Sequence, residues 1–366
     1  MKMNSTENSS FMDTDIYSKF RVAAPDLVIV DRVFTPIWYI IGIIGNTVSA
    51  KIWLSKHMRK SNSSAIYLGS IAIADLIFIF IHFWLELQGA WGISTYNKPI
   101  LCELFNVVLY VPQYLTPLLI LAFTFERFIA ICFPFLKETF CSVKKAVIGV
   151  CLLTTCSCLL GLVQAIFWTY HSGMCISKEQ ESLVRFYTIW TWITEMLIFA
   201  VVPLIVLVLN VLVIREINRI NKFQSSLGQD GSRSSNQTST ITLLSVSFYL
   251  ICTLLPATIV YAIQFSIPVG DPTKDASEWS SDPAWTSYLV YYHIRKIVEE
   301  ICFSNYACYC VIYYVTSGYF RDEVHKLWCC TRCSLCKQDF EEEKARKTQY
   351  SYVTDCKNKN ALPADV

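Results

Sequence analysis

The stretch that most limits how this chain can fold is Cys102–Pro134. From Leu104 to Phe125 it carries no charge, and it is bounded by Cys102-Glu103 on one side and Glu126-Arg127 on the other. Cys102 and Arg127 are 25 positions apart, which sets them roughly 37 Å apart along one helix, more than the ~30 Å hydrocarbon core of a bilayer. One helix can hold a disulfide-capable residue at one membrane face and a fixed cation at the other. The stretch reads as a helix joining two compartments.

The 366 residues are 54% apolar and 16% charged, against about 25% charged in a soluble domain, so the composition is that of a membrane protein. A net charge of +2 leaves no footprint for nucleic acid, and no such partner is expected. Most of the 16 cysteines sit inside apolar runs, where cysteine packs as a small hydrophobe. The N-terminus lacks the positive, apolar, small-residue order of a cleaved signal, so the first apolar helix is expected to act as its own insertion signal.

Seven apolar runs, each long enough to span, cover 33–54, 64–87, 101–133, 143–168, 187–214, 240–266 and 288–316. Lys56, Arg59 and Lys60 follow the first; Lys137, Lys144 and Lys145 follow the third; Arg215, Arg219, Lys222 and Arg233 follow the fifth. The other side gathers Glu103, Glu179, Glu181, Asp271, Asp275, Glu278 and Asp282. Basic loops belong to the cytoplasm, which places the N-terminus outside and the C-terminus inside; the expected location is the plasma membrane. Asn4 and Asn8 match the glycosylation acceptor pattern and agree with an outer N-terminus. The expected fold is an all-α membrane protein: an outer tail over 1–32, a seven-transmembrane helix bundle over 33–316, an amphipathic juxtamembrane eighth helix over 317–330 and an inner tail over 331–366. Cys329, Cys330 and Cys333, just beyond an amphipathic segment, read as palmitoylation sites more readily than as a metal site.

Glu126-Arg127-Phe128, followed by Ile-Ala-Ile-Cys-Phe-Pro, resembles the Asp/Glu-Arg-Tyr stretch of the rhodopsin-like G-protein-coupled receptors. Cys102 stands where that family keeps its third-helix cysteine. Gly45-Asn46 and Ala72-Ile-Ala-Asp75 resemble its first- and second-helix polar positions, Trp91 its loop tryptophan, and Pro203 its fifth-helix proline. The Phe320-Arg321 register sets Tyr313 at its inner tyrosine and Asn305 at its upstream asparagine. The resemblance covers residues 33–328. It implies a disulfide between Cys102 and Cys175, the alternative being two free thiols. It also implies a coupling switch of Glu126, Arg127, Phe128 and Tyr313, and a polar network of Asn46, Asp75 and Asn305 in which Asp75 can hold sodium. The implied partners are an extracellular ligand, a heterotrimeric G protein, arrestin and a receptor kinase. Glu126 and Arg127 are adjacent and do not face each other on a helix, so any pairing between them rests on the resemblance alone. No cofactor and no enzymatic activity are expected.

The chain departs from the family in its moving parts. The sixth run has Leu254 where the family has a tryptophan two residues before its proline. Tyr309-Cys310 stands in place of the Asn-Pro pair, Val211 in place of a fifth-helix tyrosine, and the fourth run has no central tryptophan.

For the ligand, Leu109 replaces the aspartate by which the family's amine receptors hold an ammonium, and no lysine lies in the body of the seventh run, only Lys296 at its outer end. These residues disfavour amines and retinal. The outer halves offer Glu86, Glu195, Glu299 and Glu300 instead. Glu299 can pair with Arg295 one turn away, or it can join an acidic pocket with Glu86, Tyr110, Gln113, Trp192, Glu195 and Tyr261 that takes a ligand guanidinium or ammonium. An amidated neuropeptide suits that pocket. A chemosensory receptor for small molecules, a non-coupling scavenger and, less favoured, a transporter stay open as alternatives. A transporter would show inverted repeats or paired broken helices, which the sequence lacks.

Overall fold

The computed structural model describes residues 19–332 apart from 21, 172, 179, 227–234 and 272; Asn4, Asn8 and Cys333 lie outside the described residues. The chain divides into two compact units between Thr316 and Ser317. The first unit is a bundle of seven spans. The first span, Pro25–Trp53, starts well before the apolar run at 33, because Pro25 sits in the opening turn with Asp26 beside it, where proline's missing N–H costs nothing. Asp31 therefore belongs to this helix and not to the tail. The second span, Ser63–Gly89, is capped by Asn62, whose side chain accepts from the Ser64 N–H. The third is Leu101–Cys132, and the fourth is Val143–Leu162, capped by Ser142.

The fifth span runs from Glu181–Glu195 through a π-helical turn, Met196–Val201, into Val202–Ser226. The wider turn lies just ahead of Pro203, which lacks the N–H that would reach the Phe199 carbonyl. The Thr258 hydroxyl of the sixth span, Ser235–Ile263, lies 2.8 Å from that oxygen and 2.9 Å from its own Leu254 carbonyl. The seventh span comes in two pieces, Pro283–Ala307 and Tyr309–Thr316, interrupted at Cys308.

Among the described residues, six helices are long and apolar enough to cross a membrane. The seventh departs from the expectation of seven apolar runs because Arg295, Lys296, Glu299 and Glu300 interrupt its outer half. Its place in the bundle rests on packing. A Cβ added to Gly42 of the first span would stand 3.3 Å from Ala307 Cα, and one on Gly45 only 2.9 Å from Cys310 Cβ. Glycine at both positions lets the first span approach the seventh at the interruption.

On the side of the bundle that holds the disulfide, a hairpin of β1 (Trp168–His171) and β2 (Met174–Ser177) lies between the fourth and fifth spans, with Tyr170 opposite Cys175. Cys175 is bonded to Cys102, with the two Cα atoms 5.4 Å apart. Asn97 fixes the register, since its side-chain oxygen accepts from the Cys175 N–H at 3.0 Å. Between the sixth and seventh spans, the Trp279 and Trp285 rings stack 3.7 Å apart and both are fully buried. Their indole N–H groups donate to the Lys274 and Asp271 carbonyls. The second unit contains the helix Gly318–Arg332, which includes Cys329 and Cys330.

Candidate functional site

Two polar clusters stand out, one at the disulfide end of the bundle and one in its middle. The first joins the first, second and seventh spans. Glu299 Oε1 lies 2.7 Å from Arg295 Nε and accepts from the Tyr261 hydroxyl at 2.6 Å. Its other oxygen is 3.6 Å from Lys296 Nζ, which also pairs with Asp31 at 3.1 Å. The Arg295 guanidinium sits 4.8 Å above the Tyr261 ring. Glu300 accepts from the Thr35 hydroxyl at 2.6 Å. Glu86 lies within electrostatic reach of Asp31, Lys296, Glu299 and Glu300.

Glu299 is thus already engaged by two cations and a phenol, as the intrahelical alternative anticipates; it is not a free anchor. The cluster still holds more carboxylates (Asp31, Glu86, Glu299, Glu300) than cations (Arg295, Lys296). Glu86 Oε1 is buried with no hydrogen-bond partner among the described residues, and Glu300 is near the Trp38 indole as well as Thr35. Asp31 is hidden in the sequence because the helix that carries it begins ahead of its apolar run. Pro25-Asp26 was the available signal.

The remaining expected pocket residues separate from this group. Tyr110 lies beside Tyr187 of the fifth span, near Glu195 and Tyr114. Glu195 reaches the first cluster only through the field of Arg295. Gln113 is half-buried on the third span. Trp192 is 43% exposed on the outward face of the fifth span. Thr191 and Thr194 take the buried positions on that turn. His82 is tied to the Tyr39 hydroxyl at 3.0 Å and His293 to Asp26 at 2.8 Å, so each is a lone polar residue with a local partner.

In the middle of the bundle the expected network is not continuous. Asn46 Nδ2 donates to the Tyr306 carbonyl at 2.7 Å. Asp75 Oδ1 accepts from the Thr116 hydroxyl at 2.8 Å. Asn305 Oδ1 accepts from the Tyr309 hydroxyl at 2.5 Å and lies 3.3 Å from the Thr253 hydroxyl. The three residues are fully buried, yet no direct hydrogen bond links them among the described residues. A hard cation gathers several oxygen ligands, and the hydrogen bonds bring Asp75 only Thr116. Asp75 Oδ2 is buried and has no hydrogen-bond partner among the described residues. Among the described residues, no group of three or more His, Cys, Asp or Glu is arranged to hold a metal ion.

At the opposite end, Arg127 Nη2 lies 3.6 Å from Glu126 Oε1, although adjacent residues diverge on a helix. The Glu126 side chain turns back to accept from Ser63 Oγ at 2.6 Å, and that bond holds it within reach of the guanidinium. Arg127 Nε has no acceptor among the described residues. The Phe128 ring packs edge-on against Phe133. Tyr313 is fully buried, stacked on Tyr309, with Trp53 edge-on to it.

A family profile described as "7 transmembrane receptor (rhodopsin family)" matches residues 46–299. A protein of Mus musculus named "Probable G-protein coupled receptor 34" is 24% identical over 208 residues, 54% of this chain and 53% of its own length. "Growth hormone secretagogue receptor type 1" of Oryctolagus cuniculus is 27% identical over 221 residues, 57% of this chain and 58% of its own. The protein of that name in Homo sapiens is 35% identical over 97 residues, 26% of each chain. The chain spans little more than half the length of the first two relatives.

Proposed function

Because this multi-pass membrane chain belongs to the rhodopsin family of seven-transmembrane receptors, we propose that it binds an extracellular ligand carrying a cationic group, a peptide in the first instance, and activates heterotrimeric G proteins by opening its cytoplasmic end. The reading includes a plasma-membrane location with the N-terminus outside, glycosylation at Asn4 and Asn8, and acylation at Cys329, Cys330 and Cys333. The helix Gly318–Arg332 then lies along the inner leaflet. Arrestin and a receptor kinase complete the partners. The name of one relative includes a secretagogue, which supports an extracellular ligand.

The observation that carries the ligand class is the excess of carboxylates over cations around Glu86 and Glu300, with Glu86 Oε1 buried and without a hydrogen-bond partner among the described residues. A carboxylate at membrane depth needs a counter-charge or a proton, and a ligand guanidinium or ammonium supplies the first. Binding shifts the bundle only by the difference in affinity between its closed and open arrangements. Opening the far end then separates Arg127 from Glu126 and presents it to the G protein.

The test is G-protein activation in cells expressing the full chain, challenged with a library of amidated cationic neuropeptides. Glu86→Gln and Glu300→Gln should each lower agonist potency at least about tenfold, because truncating one side of a buried charge pair is costly. Surface expression should stay level. Arg127→Ala should keep binding and lose nucleotide exchange. Unchanged potency in both carboxylate variants overturns the ligand class; unchanged exchange in Arg127→Ala overturns the coupling role.

A further inference from the structure

The seventh span is interrupted at Cys308 with neither proline nor glycine at the site. Interruptions of this kind otherwise come from a side chain that enters the helical ladder. Here it is Asn46. Its amide occupies the Tyr306 carbonyl, the acceptor that the Cys310 N–H would fill in an unbroken helix. The chain resumes with Cys308 as a bridging residue, its carbonyl accepting from the Val311 N–H at 3.0 Å and the Ile312 N–H at 3.3 Å.

The first residue after the interruption is Tyr309, and its hydroxyl reaches back across it to Asn305 at 2.5 Å. Asn305 lies 3.3 Å from the Thr253 hydroxyl of the sixth span, which shares its proton with its own Tyr249 and Leu250 carbonyls at 2.9 and 3.1 Å. One turn away, the Tyr249 hydroxyl of the same span bonds Ser304 at 2.7 Å. Tyr249 is edge-on to Tyr309, and Tyr309 is stacked on Tyr313. Tyr309 and Asn305 are both fully buried, and Asn305 Nδ2 has no partner among the described residues. The joint between the sixth and seventh spans is thus held by hydroxyls, with one amide donor left over.

We infer that Tyr309 is a positioning residue of the receptor: acting through Asn305, its hydroxyl holds the interrupted seventh span in register with the sixth and keeps the cytoplasmic end closed. The inference rests on the receptor reading above. It assigns a role to a position where this chain departs from the residues its family resemblance implies. Phenylalanine at 309 keeps the ring stack and removes only the hydroxyl, so Asn305 loses its shortest contact and the closed arrangement loses one buried hydrogen bond.

The full chain is reconstituted in lipid nanodiscs with G protein and no ligand. Tyr309→Phe should raise basal nucleotide exchange about fivefold, the factor expected from one hydrogen bond of typical net strength. Asn305→Ala should raise it similarly, and the double variant no further than either alone, since the two act as one unit. A purely structural role would lower thermal stability without raising exchange, and that result overturns the inference. Arg127→Ala runs alongside. If neither the unmodified chain nor any variant promotes exchange above receptor-free discs, and the cationic peptides elicit none either, the coupling reading fails instead. Hydrogen exchange of the amides over 305–313 then tests the contact by itself: faster exchange confined to this segment in Tyr309→Phe upholds the hydroxyl's hold on the seventh span, and unchanged exchange overturns the inference.

Discussion

At one end of the seventh span, between Arg295 and Glu300, the polar side chains are charged and held by ion pairs to the first span and by a phenol of the sixth. Two turns further along, between Ser304 and Tyr313, they are neutral and held by single hydrogen bonds. The charged group has carboxylates to spare. The neutral group has a spare amide donor. Moving an ion pair out of register leaves a charge unpaired at membrane depth, whereas moving a hydroxyl costs one modest bond. The first region is therefore suited to selecting a charged visitor, and the second to rearranging when one arrives.

Four measurements can break or sharpen that contrast, taken on the purified, ligand-free chain. The largest effect belongs to Glu299→Ala, which leaves Arg295 and Lys296 short of their shared partner. Breaking a buried pair from one side costs about 3–5 kcal/mol, and the thermal midpoint should fall steeply; Glu299→Gln, which still accepts from Tyr261, should lie between this variant and the unmodified chain. Asn46→Ala should cost less, about 1–3 kcal/mol, for the buried Tyr306 carbonyl left without its donor. A midpoint drop as large as that of Glu299→Ala would erase the distinction between the two regions. Thr258→Val removes the hydroxyl that serves the Phe199 carbonyl beside Pro203. Side-chain hydrogen bonds between spans average about 0.6 kcal/mol, so a change of that order is expected.

The smallest effect is outside the bundle. Lys274 Nζ lies 2.5 Å from Asp282, which also caps the seventh span by accepting from the Ala284 N–H. These hydrogen bonds, the one from Lys274 first, hold the Asp282 carboxyl below its ordinary range. The clamp is then complete above the ordinary carboxylate pKa of about 3.9 and is lost only as pH falls through the lowered value. Fluorescence from the Trp279–Trp285 stack should stay constant between pH 7 and pH 5 and change only in stronger acid. A transition inside that window would contradict the pairing.

Much of the architecture was legible in the residues. An uncharged run the length of a bilayer, bounded by Cys102 and Arg127, allows few structures, and the basic loops orient it. The pairing of Cys102 with Cys175 followed from the family resemblance, and the structure contains it. Less could be read where partners come from distant segments. Asp31 looks like part of a polar tail until the first helix is extended to Pro25. Glu299 looks like a free anchor until Lys296 and Tyr261 reach it. Trp192 has the composition of a pocket residue, but the helical phase of the fifth span turns it outward. The Glu126–Arg127 contact required Ser63, from a different helix, to turn the carboxylate.

The sequence by itself determined the membrane class, most of the spans and the irregular turn ahead of Pro203, because hydrophobic length and proline act locally along the chain. Only the tertiary structure decided which polar groups are satisfied, because a buried donor or acceptor is completed by whichever span packs beside it. Asn46 meeting the Tyr306 carbonyl across a glycine-lined contact, and Tyr309 meeting Asn305 across an interrupted helix, are matters of packing that no local pattern encodes.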